Sequence, residues 1–232
     1  MSTMPQDRLP EGEEKRAAVR SMFDTIAPRY DLVNRLLTFR MDVGWRRKTI
    51  ERVGLDPGSS VLDLACGTGD FCRELTDAGH QAIGIDLSFG MLGAAKTSAP
   101  LVQGDLLALP LGAGACDGAV CGFALRNLVE LGPFFDEIGR VLRPGGRIGL
   151  LDVSRPGNPV LGWGHGLYFN HVVPLVGGLL SDRSAYAYLP RSVSYLPAAD
   201  EMISMLGASG FADIERLQLS AGITQLITAT RS

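Results

Sequence analysis

The chain has 232 residues, 46% of them apolar and 20% charged, which supplies one compact core and rules out disorder as the main state. Twenty-two Lys and Arg against twenty-five Asp and Glu leave a formal charge of −3, so no basic field exists for a phosphodiester backbone, and nucleic acid is excluded as an expected partner. The four cysteines, at 66, 72, 116 and 121, form no C-x-x-C pair and no zinc spacing, which argues against a disulfide framework or structural metal and for a reducing cytoplasm.

Residues 1–20 are rich in charge, carry no apolar signal region, and are expected to form a flexible N-terminus without an ordinary secretory signal. Val19, Met22, Phe23, Ile26 and Tyr30 then recur at three- and four-residue steps, predicting an amphipathic helix that Pro28 interrupts. A second helix is expected through Leu32, Leu36 and Leu37, and a third from Trp45 to Val53, before the Pro57-Gly58 turn. Residues 21–54 thus read as a helical cap on a single domain spanning 21–232.

From Ser60 the texture changes to short apolar runs, at 60–65, 82–86, 101–103, 117–122 and 147–153, separated by helical stretches at 69–78, 88–96 and 131–142. Runs apolar on both faces suit strands covered by helices on both sides. A helix at 197–209 and two strands, 213–219 and 222–229, joined by Ser220-Ala221 as a hairpin, complete the pattern. The expected fold class is α/β: a doubly wound, Rossmann-like, mostly parallel seven-stranded sheet with helices on both faces.

Residues 156–196 interrupt the alternation. Pro156 to Ser181 contains no Asp, Glu, Lys or Arg, but six glycines, three prolines, His165, Asn170 and His171 make it a poor membrane span. An apolar insertion covering the ligand side is expected, with Trp163, Tyr168, Phe169, Tyr186, Tyr188 and Tyr195 forming either pocket wall or the insertion's own core. His80 reads as an exposed turn residue. His165 and His171, six apart, do not share a helical face, and no metal site is expected.

Val61-Leu-Asp63-Leu-Ala-Cys66-Gly67-Thr68-Gly69-Asp70 is an apolar strand ending in a carboxylate and a G-x-G turn that opens a helix. Such glycines let backbone approach a ligand at the carboxyl end of an α/β strand. A tight turn without a ligand would look the same, but the next two strands also end in Asp: Asp86, placed to accept two ribose hydroxyls, and Asp105, placed to accept from an exocyclic amino group. Cys72 stands where a dinucleotide-binding turn has its third glycine, which makes NAD the weaker alternative. Asp63 and Asp70 favour a cationic adenosine-bearing cofactor, S-adenosyl-L-methionine.

With Asp86, Asp105-Leu106 and Leu142-Arg-Pro-Gly-Gly-Arg147, this motif resembles the class I methyltransferases. Tyr30-Asp-Leu-Val-Asn34, Asp86-Leu87-Ser-Phe-Gly-Met-Leu92, Phe123-Ala-Leu-Arg126-Asn127 and Ala187-Tyr-Leu189 resemble, more narrowly, the ubiquinone/menaquinone biosynthesis C-methyltransferases, over nearly the whole chain. The resemblance implies that Asp63, Gly67, Thr68, Gly69, Asp86, Leu87, Asp105, Leu106 and Gly122 hold the cofactor. It implies that Tyr30, Arg126 and Asn127 face the acceptor; the plainer reading pairs Arg126 with a carboxylate and has Asn127 cap a helix. The chain departs from the family in Gly122, where a serine is usual, in Ile227, where a histidine is usual, and in Thr38, Arg40 and Asp42 before Trp45. The implied activity is carbon methylation of a lipophilic quinol or related hydroxyaromatic by a cytoplasmic enzyme, with transient contact at the inner membrane face; a soluble phenolic acceptor, a non-catalytic cofactor-binding protein and a homodimer built on the aromatic insertion remain the alternatives.

Overall fold

The structure, a computed structural model, describes residues 11–154, 163 and 166–232. Its helices are α1 (Gly12–Ile26), α2 (Tyr30–Leu37), α3 (Met41–Val53), α4 (Asp70–Asp77), α5 (Phe89–Gly93), α6 (Leu131–Val141), α7 (Val173–Leu180), α8 (Arg183–Ser192) and α9 (Ala199–Ala208). The strands are β1 (Ser60–Leu64), β2 (Gln81–Asp86), β3 (Leu101–Gln103), β4 (Cys116–Gly122), β5 (Leu142–Val153), β6 (Phe211–Leu219) and β7 (Thr224–Arg231).

Seven strands form one sheet in the order β3-β2-β1-β4-β5-β7-β6. The first five are parallel, and β7 lies antiparallel between β5 and β6, with Leu150 opposite Ile227 and Asp152 opposite Gln225. The order reverses between β1 and β4, which opens a crevice at their carboxyl ends, where α/β sheets bind ligands. Alternation along β1 explains why it is central: Leu62 and Leu64 join the core under α6 and α9, while Val61 joins the core under α3 and α4. Phe134 and Phe135 of α6 are fully buried, their ring centroids 5.7 Å apart. Truncating either to alanine is expected to cost about 3–5 kcal/mol. A third cluster ties the cap together, drawing Met22 and Ile26 from α1, Val33 from α2, Met91 from α5, Val173 from α7 and Tyr186 from α8.

Several expectations change. Residues 12–20 are helical, not frayed, because α1 turns Lys15, Met22 and Ile26 inward while Glu13 and Glu14 stay in its first turn at the surface. His80 is buried at 9% exposure, its backbone N–H held by Leu75 O at 3.0 Å. Residues 143–146, left between the helix expected at 131–142 and the strand expected at 147–153, belong to β5, which pairs with β4 across a register shift. The hairpin link extends to Ser220–Gly222, with Ala221 left-handed at φ +57°. Of the expected insertion, residues 156–162, 164 and 165 lie outside the described residues, as does the Phe169 side chain.

Candidate active site

The cofactor cradle is built where β1 runs into α4. Ala65, Gly67 and Gly69 all have positive φ (+56°, +54° and +80°), which turns the chain sharply and presents the Gly67 backbone to the crevice. Asp86, at the end of β2, accepts the Gly67 N–H on one carboxylate oxygen and the Ser88 N–H on the other, both at 2.8 Å. Each oxygen keeps one further lone pair, the number that the two hydroxyls of a ribose require. Burial pushes the Asp86 carboxyl above the usual range, and the backbone donors oppose it.

A cleft of about 860 Å³, measured to its open mouth, runs beside Asp86 and is lined by Ala65, Gly67, Leu87, Asp105, Leu106 and Gly122, with Tyr30 and Asn127 also in its wall. Five expected residues stand outside this wall: Arg126, described below, and Asp63, Thr68, Gly69 and Asp70. Asp63, 1% exposed, accepts the Cys72 N–H at 3.0 Å and so holds the start of α4; burial raises its carboxyl to about 7. The Thr68 hydroxyl donates to Asp31 at 2.5 Å. A Cβ on Gly69 would come within 2.7 Å of Thr97, so this glycine serves close packing. Asp70 is matched by Arg35, Arg46 and Arg73 and lends no free negative charge to a cofactor.

The α1 helix forms part of the cleft, a role unsuspected for a segment expected to fray. Arg16, Val19, Arg20 and Phe23 line it. Three of its side chains hold the helix there. Lys15 donates to Leu128 O at 2.5 Å and sits 3.7 Å over the Tyr195 ring, Arg16 pairs with Asp105 at 2.7 Å, and Asp24 accepts from the Ser88 hydroxyl at 2.6 Å and the Gly90 N–H at 2.9 Å. Asp105 therefore meets any adenine amino group as an already ion-paired carboxylate.

On the acceptor side, β4 ends at Gly122 and turns through Phe123, a non-glycine residue at φ +60°, into Leu125–Asn127. That strained turn places Arg126 and Asn127 at the sheet's carboxyl edge. Arg126 pairs with Asp152, the carboxylate near the end of β5, at 2.5 Å; Asp152 also accepts the Val153 N–H at 2.7 Å. Arg126 Nε, Asp152 Oδ2, Asn127 Oδ1 and the hydroxyls of Tyr186 and Tyr188 are buried without a hydrogen-bond partner. Burial raises the pKa of the Tyr30 hydroxyl, with the Arg126 charge the leading opposing influence, and Arg126 likewise acts on Tyr188. Among the described residues no group of His, Cys, Asp or Glu is arranged to hold a metal.

A family model for the ubiE/COQ5 methyltransferase family matches residues 11–231. The chain belongs to this family. It is 41% identical to the ubiquinone/menaquinone biosynthesis C-methyltransferase UbiE of Syntrophotalea carbinolica, over 92% of this chain and 94% of that protein. It is 38% identical to a demethylmenaquinone methyltransferase of Deinococcus radiodurans, over 89% and 90% of the two chains. Among solved structures, a Haemonchus contortus phosphoethanolamine N-methyltransferase with bound S-adenosyl-L-methionine superposes with a TM-score of 0.65 at 14% identity, covering 98% of this chain and 61% of that one. A S-adenosylmethionine-dependent methyltransferase from Aquifex aeolicus superposes with a TM-score of 0.61 at 16% identity, covering 87% and 98%. At such identities the structural likeness speaks for the fold.

The departures of this ubiE/COQ5-family chain have local physical causes. A Cβ on Gly122 would approach the Phe71 ring to 2.7 Å, so Phe71, packed at 4% exposure behind the cradle, requires glycine there. Ile227 is 1% exposed in the main core, opposite Leu150, where an apolar side chain fits and a histidine would need a partner. Asp152, the buried partner of Arg126, is absent from the expected site residues. Its signal was available, since Leu150-Leu-Asp152-Val-Ser154 ends a fourth apolar parallel strand in a carboxylate.

Proposed function

We propose that the chain is an S-adenosyl-L-methionine-dependent C-methyltransferase that methylates a ring carbon of a demethylated prenyl quinol of the menaquinol or ubiquinol type. The observation that carries this reading is a cluster of buried polar atoms without partners, on Asn127 in the cleft wall and, behind it, on Arg126, Tyr186 and Tyr188, which act electrostatically on Tyr30 of that wall or on one another. Buried donors and acceptors of this kind call for a ligand, and a dihydroxylated ring has the matching groups.

When bound, S-adenosyl-L-methionine supplies an electrophilic methyl group. Asp86 would hold its ribose and Asp105 its base, with the Gly67 backbone against the chain between them. The Arg126 cation favours the anionic form of an acceptor hydroxyl, and that anion concentrates electron density on the neighbouring ring carbon. Tyr30 and Asn127 fix the ring from the cleft wall, and α1 keeps water from the reacting atoms. Alignment of the two reactants accounts for the largest share of the acceleration, on the order of 7–11 kcal/mol.

An acceptor with a long prenyl tail stays in lipid, so the enzyme is placed in the cytoplasm and meets it at the inner membrane face. Among the described residues no helix is long and apolar enough to cross a membrane. The test is incubation with methyl-labelled cofactor and a panel of demethylated naphthoquinols, benzoquinols and soluble phenols. Label in the quinols is the expected result, and label confined to the soluble phenols would replace the prenyl quinol by a soluble acceptor.

A further inference from the structure

Ten large apolar side chains stand exposed among the described residues, and all but Phe89 fall on α2, on the turn after it, on Met41 at the start of α3, or between 163 and 179. They are ordered by helical spacing. Leu32 and Leu36 are four apart on α2, and Val172, Leu175 and Leu179 continue three and four apart into and along α7, with Leu179 77% exposed. The two helices touch. Phe39, 71% exposed, lies with its ring 6.0 Å from that of Tyr168, whose hydroxyl donates to Leu37 O at 2.7 Å. Arg29 donates to Leu180 O at 2.8 Å, tying the start of α2 to the end of α7. One contiguous apolar surface results, far from the usual scatter of single exposed side chains.

Charge around this surface is sorted by sign. Two acids of this region, Asp31 and Asp42, are turned inward at 8% and 0% exposure, onto Thr68 and onto Thr38 and Arg46, and the third, half-exposed Asp182 just past α7, caps α8 by accepting the Ala185 N–H. Arg29 and Arg40 stay exposed, Arg35 partly so, and Pro156 to Ser181 adds no charge. A protein with formal charge −3 thus shows cations at the rim of its apolar face. A second copy is a poor occupant: a two-fold contact on this face would bring the exposed Arg29 and Arg40 of one copy against those of the other, with Asp182 as the one partly exposed acid nearby among the described residues.

The geometry points to a docking surface for a lipid bilayer with anionic headgroups, the apolar stripes of α2 and α7 entering the acyl boundary and Arg29 and Arg40 meeting headgroup phosphates. The same helices reach the acceptor site, because Tyr30 opens α2 and Tyr186 packs directly on Gly177 of α7. A docked protein receives a quinol head group while its tail remains in the membrane. This purpose rests on the prenyl-quinol reading; the docking itself does not.

The test uses the full chain without acceptor or cofactor, in vesicle sedimentation with phosphatidylcholine alone and with phosphatidylcholine plus phosphatidylglycerol. Binding is expected to favour the anionic vesicles and to weaken with salt. It is expected to fall by about tenfold or more in Leu175→Ser/Leu179→Ser and, on anionic vesicles, in Arg29→Gln/Arg40→Gln, with S-adenosylhomocysteine affinity and Tm retained. Leu32→Ser/Leu36→Ser, on the other helix, repeats the measurement should one variant fold poorly. No vesicle binding, binding untouched by these variants, or an apolar face that instead dissociates a dimer in light scattering when mutated would overturn the proposal. Vesicle binding without quinol methylation would leave docking standing and remove the acceptor reading, and methylation without vesicle binding would do the reverse.

Discussion

Arg126 and Asp152 meet through one pair of atoms, Nη1 and Oδ1 at 2.5 Å, with both side chains buried and with Arg126 Nε and Asp152 Oδ2 unpaired. A fully two-pronged pairing would occupy the guanidinium's fork; this one leaves the Nε donor without a partner while Asp152 fixes the direction of the group. Asp152 is fully buried, so it is expected to act through Arg126, as a positioning residue.

Asp152→Asn removes the charge that balances Arg126, and a loss of about 3–5 kcal/mol in stability is expected from denaturant titration. It also removes a negative charge from the neighbourhood of the acceptor anion, so the acid limb of the kcat–pH profile should move to lower pH even as kcat falls. Arg126→Ala should lower kcat and kcat/KM together, by about 100-fold or more, with cofactor affinity nearly unchanged. An unmoved acid limb in the first variant and normal kcat in the second would reduce the pair to a structural ion pair.

Asp86→Ala should weaken S-adenosylhomocysteine binding by about 1.5–3 kcal/mol in calorimetry, because a charged acceptor of the ribose hydroxyls is lost. Folding should survive, and unchanged affinity would show that the ribose lies elsewhere.

How much of this site could be read from the chain varies with the kind of signal. β1, its G-x-G turn and the carboxylates Asp86 and Asp105 were legible because apolar runs of strand length end in acids at regular intervals. Cap residue Lys15 was not, because a surface helix dense in Glu and Arg has the composition of a tail; only the fold shows that Leu128 and Tyr195 receive it. Asp63 and Asp86 look alike in sequence, both acids at strand ends. Asp63 is drawn inward by the Cys72 N–H while Asp86 lines the cleft, a difference set by the turn's left-handed glycines.

Gly122→Ser would put an atom within 2.7 Å of the Phe71 ring, so a loss of about 1–3 kcal/mol in stability is expected. Phe71→Leu in the same chain should recover part of it. Additive losses in the double variant would mean that Phe71 is not what demands the glycine.

Lys15 supplies a pH test of the α1 contact. Burial lowers its pKa from 10.5 to about 8, so between these values the unfolded chain holds a proton that the folded chain has released. Stability relative to Lys15→Met should therefore rise as pH climbs from about 8 to 10.5, by roughly 1–3 kcal/mol, the Leu128 carbonyl and Tyr195 ring offsetting part of the desolvation. Parallel stability–pH curves for the two proteins across that window would contradict the buried lysine.

The position of the transferred methyl group tests the account most directly. Unmodified protein, labelled S-adenosyl-L-methionine and reduced demethylmenaquinone should give a product whose label resides on a ring carbon by mass spectrometry and NMR, with Arg126→Ala forming it at least about 100-fold more slowly. Label on a hydroxyl oxygen, or none in the quinol while a soluble phenol is methylated readily, would contradict it.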